Sequence, residues 1–118
     1  MARSERLICA ARDLDDGGAG VRFEVRVAGR REPAFVVRFG GRVFGYLNRC
    51  AHVPTELDWI DGQFFDADRR WLMCATHGAI YDPATGRCAG GPCRGGGLVP
   101  VEVVEQDDAV FVLERSED

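Results

Sequence analysis

The sequence contains no lysine, only two histidines, and no apolar run long enough to cross a membrane. The longest apolar runs, such as residues 109–113, are far shorter than the roughly 20 residues that span a bilayer. The first residues mix charges and lack the basic start and apolar stretch of a secretory signal. We therefore expect no membrane anchor and a cytoplasmic location.

The chain also lacks an excess of basic residues. All 15 basic residues are arginines, and 19 acidic residues give a formal net charge of −4. This balance argues against a nucleic-acid-binding protein that relies on overall basicity. At 118 residues the chain has room for one domain and not for a large catalytic scaffold.

Helical periodicity is absent as well, since no stretch of about twelve residues repeats its apolar positions every 3.6 residues. Residues 21–27 instead alternate between apolar and polar, which predicts a half-buried strand. Residues 34–39 and 42–47 predict a hairpin around the Gly40-Gly41 turn. Residues 98–104 and 109–113 predict a second hairpin. These patterns together predict an all-β domain with strands from both ends of the chain.

The middle of the chain, residues 48–97, is rich in Cys, His, Gly, Pro and Asp and has only short β-like pieces. So long a loop-rich stretch inside one small domain needs something other than a hydrophobic core to hold it. A metal site would satisfy that need.

The only two histidines each stand close to a cysteine, in Cys50-Ala51-His52 and in Cys74-Ala75-Thr76-His77. The two groups read C-x-H and C-x2-H, with 21 residues between them. Two thiolates and two imidazoles suit either tetrahedral zinc or an iron–sulfur cluster with mixed ligands. Zinc fingers usually separate the cysteine pair from the histidine pair, whereas here each group supplies one of each.

This arrangement resembles the Rieske [2Fe–2S] family, in which two cysteines hold one iron and two histidines the other. Residues 77–86 resemble the family's second cluster loop, with Gly78 after the histidine and Tyr81 four positions beyond it. The run Gly90-Gly91-Pro92 resembles the family's Gly-Pro loop that covers the cluster. The resemblance spans about residues 42–113.

The resemblance implies one Rieske-type [2Fe–2S] cluster, with Cys50 and Cys74 on the inner iron and His52 and His77 on the outer iron. It also implies an antiparallel, β-sandwich-like base domain with an inserted cluster-binding subdomain. We expect one Rieske domain over residues 1–118, with base strands in about 5–47 and 98–114 and the subdomain in about 48–97.

The implied function is a one-electron ferredoxin that passes electrons from a flavin-containing reductase to a terminal oxygenase, such as an aromatic-ring hydroxylating dioxygenase. The chain is not expected to be an enzyme by itself, because no histidine remains for a mononuclear iron site. One alternative is the small subunit of a larger reductase, such as an NADH-dependent nitrite reductase. A structural zinc module is a second alternative.

The sequence departs from the family in three places. The interval between the two cluster loops, from His52 to Cys74, is longer than is usual in the family. The additional length lies in residues 56–70, which begin with Glu56. They form either a surface excursion pinned by its aromatics or an acidic docking feature. Thr55 and Thr76 stand where high-potential members carry a disulfide between these loops. Ala79 replaces a serine that donates to a cluster sulfide, so we expect a reduction potential in the lower part of the Rieske range.

Three cysteines lie outside the proposed ligand set. Cys88 and Cys93 flank the Gly-Gly-Pro turn and could form a short-loop disulfide, but a cytoplasmic location favours free thiols. Cys9 lies in an apolar run and is expected to be a core residue.

Overall fold

The computed structural model describes residues 3–51, 55–58, 60–76, 78–93 and 95–115. Their architecture confirms the predicted all-β fold, with antiparallel sheets and, within these ranges, one short 3-10 turn (Ala11–Asp13) and no α-helix. The same ranges contain no helix long and apolar enough to cross a membrane.

The strands of the described residues form three sheets. The first has the order β1-β10-β9, the second β2-β3-β4-β8, and the third β5-β6-β7. The strands are β1 (Arg3–Ala10), β2 (Val21–Val27), β3 (Arg30–Phe39), β4 (Arg42–Leu47), β5 (Leu72–Met73), β6 (Ile80–Tyr81), β7 (Cys88–Gly90), β8 (Pro100–Val101), β9 (Val103–Gln106) and β10 (Ala109–Arg115).

Strand β3 lies between two hydrophobic layers. Ala34 and Val36 pack with residues of the first sheet, while Phe35 and Val37 belong to the core that contains the predicted cysteine ligands. Successive side chains of a strand point to opposite faces, so four consecutive buried residues require a partner on each side. β3 therefore connects the base of the molecule to the candidate site.

Two predicted hairpins are present. Gly40 and Gly41 join β3 to β4 with φ angles of 62° and 81°, as a tight turn with two left-handed residues requires. Asp107 and Asp108 join β9 to β10 with φ angles of 53° and 62°, a conformation that Asp tolerates better than most residues.

The single strand predicted over residues 98–104 is in fact two short strands in different sheets. β8 pairs with β4, and β9 pairs with β10. The chain changes sheets at Glu102, whose carbonyl accepts a hydrogen bond from the Leu113 N–H at 2.9 Å. A switch of this kind leaves the apolar pattern continuous, so the sequence does not show it.

The small third sheet lies in chain order between β4 and β8, and an aromatic contact joins it to the base. The Tyr46 hydroxyl donates to the Pro83 carbonyl at 2.7 Å, and burial raises the pKa of Tyr46 to about 12. The Tyr46 ring lies against Gly86, and a Cβ atom added to Gly86 would come within 2.7 Å of the ring. This contact holds the turn between β6 and β7 against β4.

Candidate metal centre

Cys50 and Cys74 are each placed in a closed loop. The Cys50 N–H donates to the Thr55 carbonyl at 2.8 Å, which closes the first loop after β4. Cys74 directly follows β5, and its N–H donates to the Ala79 carbonyl at 2.8 Å. The Gly78 N–H returns to the Cys74 carbonyl at 2.9 Å. Both thiol side chains are buried in the same core cluster, as the predicted shared centre requires.

The two predicted histidine ligands, His52 and His77, lie outside the described residues. Among the residues that are described, no three Cys, His, Asp or Glu side chains come together as a metal-binding group.

Tyr81, at the end of β6, contacts the first loop with its hydroxyl group. Its oxygen lies 3.2 Å from Cys50 Sγ and accepts a hydrogen bond from the Ala51 N–H at 3.0 Å. Burial raises the pKa of Tyr81 far above neutrality, so the hydroxyl keeps its proton. The phenolic proton is not used in the contact with the Ala51 amide, so it is available to Cys50 Sγ when that sulfur is a deprotonated ligand.

A buried polar group positions the start of the 56–70 excursion. Asn48, just after β4, donates from Nδ2 to Asp58 at 3.0 Å and accepts the Leu57 N–H at 2.9 Å. The Leu57 carbonyl in turn accepts the Ala75 N–H of the second loop at 3.0 Å. The excursion thus connects the two cysteine loops.

Arg22 on β2 holds the same segment from outside. It contacts Glu56 at 2.7 Å, Asp61 at 2.9 Å and the fully buried Asp58 at 3.6 Å. Three of the five acids of residues 56–70 are therefore paired with Arg22; the five are Glu56, Asp58, Asp61, Asp66 and Asp68. Phe64 also stacks on Phe35, with 3.9 Å between ring centroids. These contacts support the interpretation of an excursion pinned by its aromatics; Trp59 lies outside the described residues.

The prediction of free thiols at Cys88 and Cys93 is wrong, because the structure joins them in a disulfide with a Cα–Cα distance of 5.6 Å. Gly91, with φ of 82°, lets the chain reverse between them. The sequence could not supply the Cα distance that decides whether a bridge forms. Cys9, expected to be a core residue, is half-buried and packs against the margin of the core around Val110.

Comparison with known proteins decides the family. A sequence model described as the Rieske [2Fe-2S] domain matches residues 4–114. The chain belongs to the Rieske [2Fe–2S] family. No curated protein matches the chain.

Solved Rieske ferredoxins have the same fold. A ferredoxin of carbazole 1,9a-dioxygenase from Nocardioides aromaticivorans IC177 is 24% identical, with a TM-score of 0.69 over 92% of this chain and 96% of that one. A ferredoxin from Sphingomonas yanoikuyae B1 is 23% identical, with a TM-score of 0.71 over 95% and 100% of the two chains. A complex of reduced oxygenase and oxidized ferredoxin in carbazole 1,9a-dioxygenase contains a chain that is 25% identical, with a TM-score of 0.71 over 97% of each.

A Rieske domain implies one Rieske-type [2Fe–2S] cluster, and the described residues fit such a group. Two soft sulfur donors are buried together, and a neutral hydroxyl is directed at one of them. Ala79, which stands where the family resemblance expects a serine donor, is fully buried and has no side-chain hydroxyl.

Sequence reasoning did not identify the roles of Asn48, Asp58 and Arg22 in positioning the excursion. The sequence signal for these roles was weak. Asn48 directly follows a predicted strand, and Asp58 is an acid in a stretch that also contains aromatic residues. Only the fold brings Arg22, on β2, to these residues.

Proposed function

We propose that Cys50, His52, Cys74 and His77 hold the cluster, the thiolates on the inner iron and the imidazoles on the outer iron. The observation that carries this proposal is the burial of Cys50 and Cys74 in one core cluster, each in a loop closed by backbone hydrogen bonds. In the sequence, one histidine follows each cysteine by two or three positions. When bound, the cluster supplies one-electron redox chemistry.

The donor set suits an electron carrier for an electrostatic reason. Two ferric ions, two sulfides and two thiolates sum to zero charge, since the histidines are neutral. One added electron then leaves a single negative charge in a partly buried site, which costs less than charging a site that is already anionic. The Tyr81 proton, directed at Cys50 Sγ, stabilises that added charge.

We further propose that the whole chain, residues 1–118, is one Rieske domain that acts in the cytoplasm as a carrier without catalytic activity of its own. Its electrons would come from a flavin-containing reductase and go to a terminal oxygenase, such as an aromatic-ring hydroxylating dioxygenase. Support comes from similar chains that are ferredoxins, one of them in complex with an oxygenase. With both histidines used as ligands, none remains for a two-histidine mononuclear iron site.

The ligand set is tested by metal analysis and by low-temperature electron paramagnetic resonance of the dithionite-reduced protein. We expect two irons and two sulfides per chain and an average g-value below that of all-cysteine clusters. Cys50→Ser and Cys74→Ser should lose this signal, while Cys9→Ser, outside the site, should keep it. Zinc in place of iron and sulfide would overturn the proposal.

The carrier role is tested by gel filtration of native extract. A carrier elutes mainly by itself, because transient redox partners bind weakly. Elution at fixed stoichiometry with a large reductase would contradict the carrier role and favour a subunit of that enzyme.

A further inference from the structure

The disulfide between Cys88 and Cys93 plays no part in the proposed ligand set, yet it lies in the segment that contacts both cysteine loops. We call residues 88–93 and 95–97 the cover segment. A Cβ atom on Gly91 would lie 3.0 Å from both Ala79 Cα and the Gly78 carbonyl oxygen of the second loop. A Cβ atom on Gly96 would lie 3.2 Å from Ala51 Cβ in the first loop. The backbone of the cover segment is therefore in close contact with both loops.

In the part of the chain that the structure describes, the cover segment is otherwise held mainly by backbone contacts, which include the bridge between Gly97 and Arg87 and the hydrogen bond from the Gly96 N–H to the Cys93 carbonyl at 2.8 Å. Five of residues 89–97 are glycines, so the unrestrained segment has a large conformational entropy. Strand β7 pairs with β6 through Gly90 and Ile80, and the Cys88 N–H donates to the Gly96 carbonyl at 3.1 Å. Among its described residues, only Cys93 is fully buried in the core, and Cys88 packs against the same core partly buried. The disulfide is thus the one covalent restraint on a segment with little apolar packing.

The two sulfurs differ in exposure. Cys93 is 2% exposed, whereas Cys88 is half-buried at the edge of the third sheet. A dithiol reductant can reach Cys88 Sγ first and release Cys93 as the leaving thiolate.

We propose that Cys88 and Cys93 form a thiol–disulfide site that controls how firmly the cover segment closes over the cluster-binding loops. This inference rests on the ligand set proposed above. In the reductive step, a dithiol of the thioredoxin or dithiothreitol class attacks Cys88 Sγ and the S–S bond breaks. The protein gains two electrons and two protons as two thiols, and the reductant leaves as its own disulfide. The reduced segment regains backbone freedom, which exposes the loops to water and chelators.

The test measures loss of visible absorbance of the cluster-bearing protein in the presence of a ferrous chelator. Wild-type protein is compared with and without dithiothreitol, and the Cys88→Ala/Cys93→Ala double variant is compared with Cys9→Ala as the matched control. Alkylation and mass spectrometry establish the thiol state of each sample. We expect about tenfold faster cluster loss in reduced wild-type and in the double variant, with Cys9→Ala unchanged. Dithiothreitol should have no further effect on the double variant.

Three results would overturn the inference. Equal cluster lifetimes in oxidised wild-type, reduced wild-type and the double variant would exclude it while leaving the ligand set intact. An equal effect of dithiothreitol on the double variant would show direct attack on the cluster. Wild-type protein without iron and sulfide would overturn the ligand set and this inference together. Should the double variant fail to fold, the reduced wild-type still gives the comparison.

Discussion

The Tyr81 hydroxyl oxygen lies 3.2 Å from Cys50 Sγ and 3.0 Å from the Ala51 nitrogen that donates to it. An oxygen that accepts from an amide still has its own proton to donate, and Cys50 as a thiolate ligand has no proton and can only accept it. A hydrogen bond to a ligand sulfur strengthens as negative charge increases there. The contact thus couples the strand β6 to the redox state of the candidate centre.

Tyr81→Phe should lower the reduction potential, because the reduced state loses more stabilisation than the oxidised state. A differential loss of about 1 kcal/mol corresponds to about 40 mV for one electron. Protein-film voltammetry measures the shift. Tyr46→Phe is the matched control, because the Tyr46 hydroxyl donates to the Pro83 carbonyl. An unchanged or higher potential in Tyr81→Phe would contradict the assignment of the proton.

Asp58→Ala should destabilise the fold strongly. The Asp58 side chain is fully buried and accepts hydrogen bonds from Asn48 Nδ2 and the Gly62 N–H, so truncation leaves both donors without this acceptor. We expect a loss of about 2–4 kcal/mol in the free energy of unfolding, equivalent to roughly 10 °C in midpoint temperature. Thermal unfolding followed by far-ultraviolet circular dichroism measures it.

The control for this change is Asp61→Asn, whose side chain is 82% exposed although it also contacts Arg22. An exposed pair of this kind contributes less than about 1 kcal/mol. Similar losses in the two variants would show that burial of Asp58 is not the stabilising factor.

Gly86→Ala should cost more stability than Gly29→Ala, although the two glycines have nearly equal φ angles of 78° and 77°. At Gly29 a Cβ atom meets nothing within 4 Å, so only the backbone cost of about 1 kcal/mol applies. At Gly86 the Cβ atom would also come within 2.7 Å of the Tyr46 ring. Urea unfolding of the two variants separates steric from conformational cost, and equal losses would exclude the steric effect.

The hydrogen bond from Arg38 lowers the pKa of Glu105 from its ordinary value of 4.5. A carboxyl with a depressed folded-state pKa binds fewer protons when folded, so its stabilisation is present above pH 4.5 and is lost as the pH falls through the folded-state pKa. Glu105→Gln should therefore lower the midpoint temperature at neutral pH, and the difference from wild-type should shrink as the pH falls below 4.5. A difference independent of pH would contradict the ion pair.

Short-range patterns in the sequence were enough to predict much of the fold. Alternation in β2 identified a half-buried strand, and Gly40-Gly41 identified the turn between β3 and β4, because both signals depend on neighbouring residues alone. Base strands were expected from about residue 5, but no individual strand was assigned at β1. Its sequence ends in a continuous apolar run, and its partner β10 lies at the far end of the chain. Pairing at that separation leaves little trace in either segment.

The sequence by itself indicated a Rieske cluster through the spacing of its cysteines and histidines, since ligand type and loop length are local properties. Tertiary structure alone decided that Cys88 and Cys93 are bridged and that Arg22 pairs with the acids of the excursion. Both depend on distances between atoms brought together by folding. A one-dimensional pattern carries the chemical identity of each group but not the separation that determines which groups react or pair.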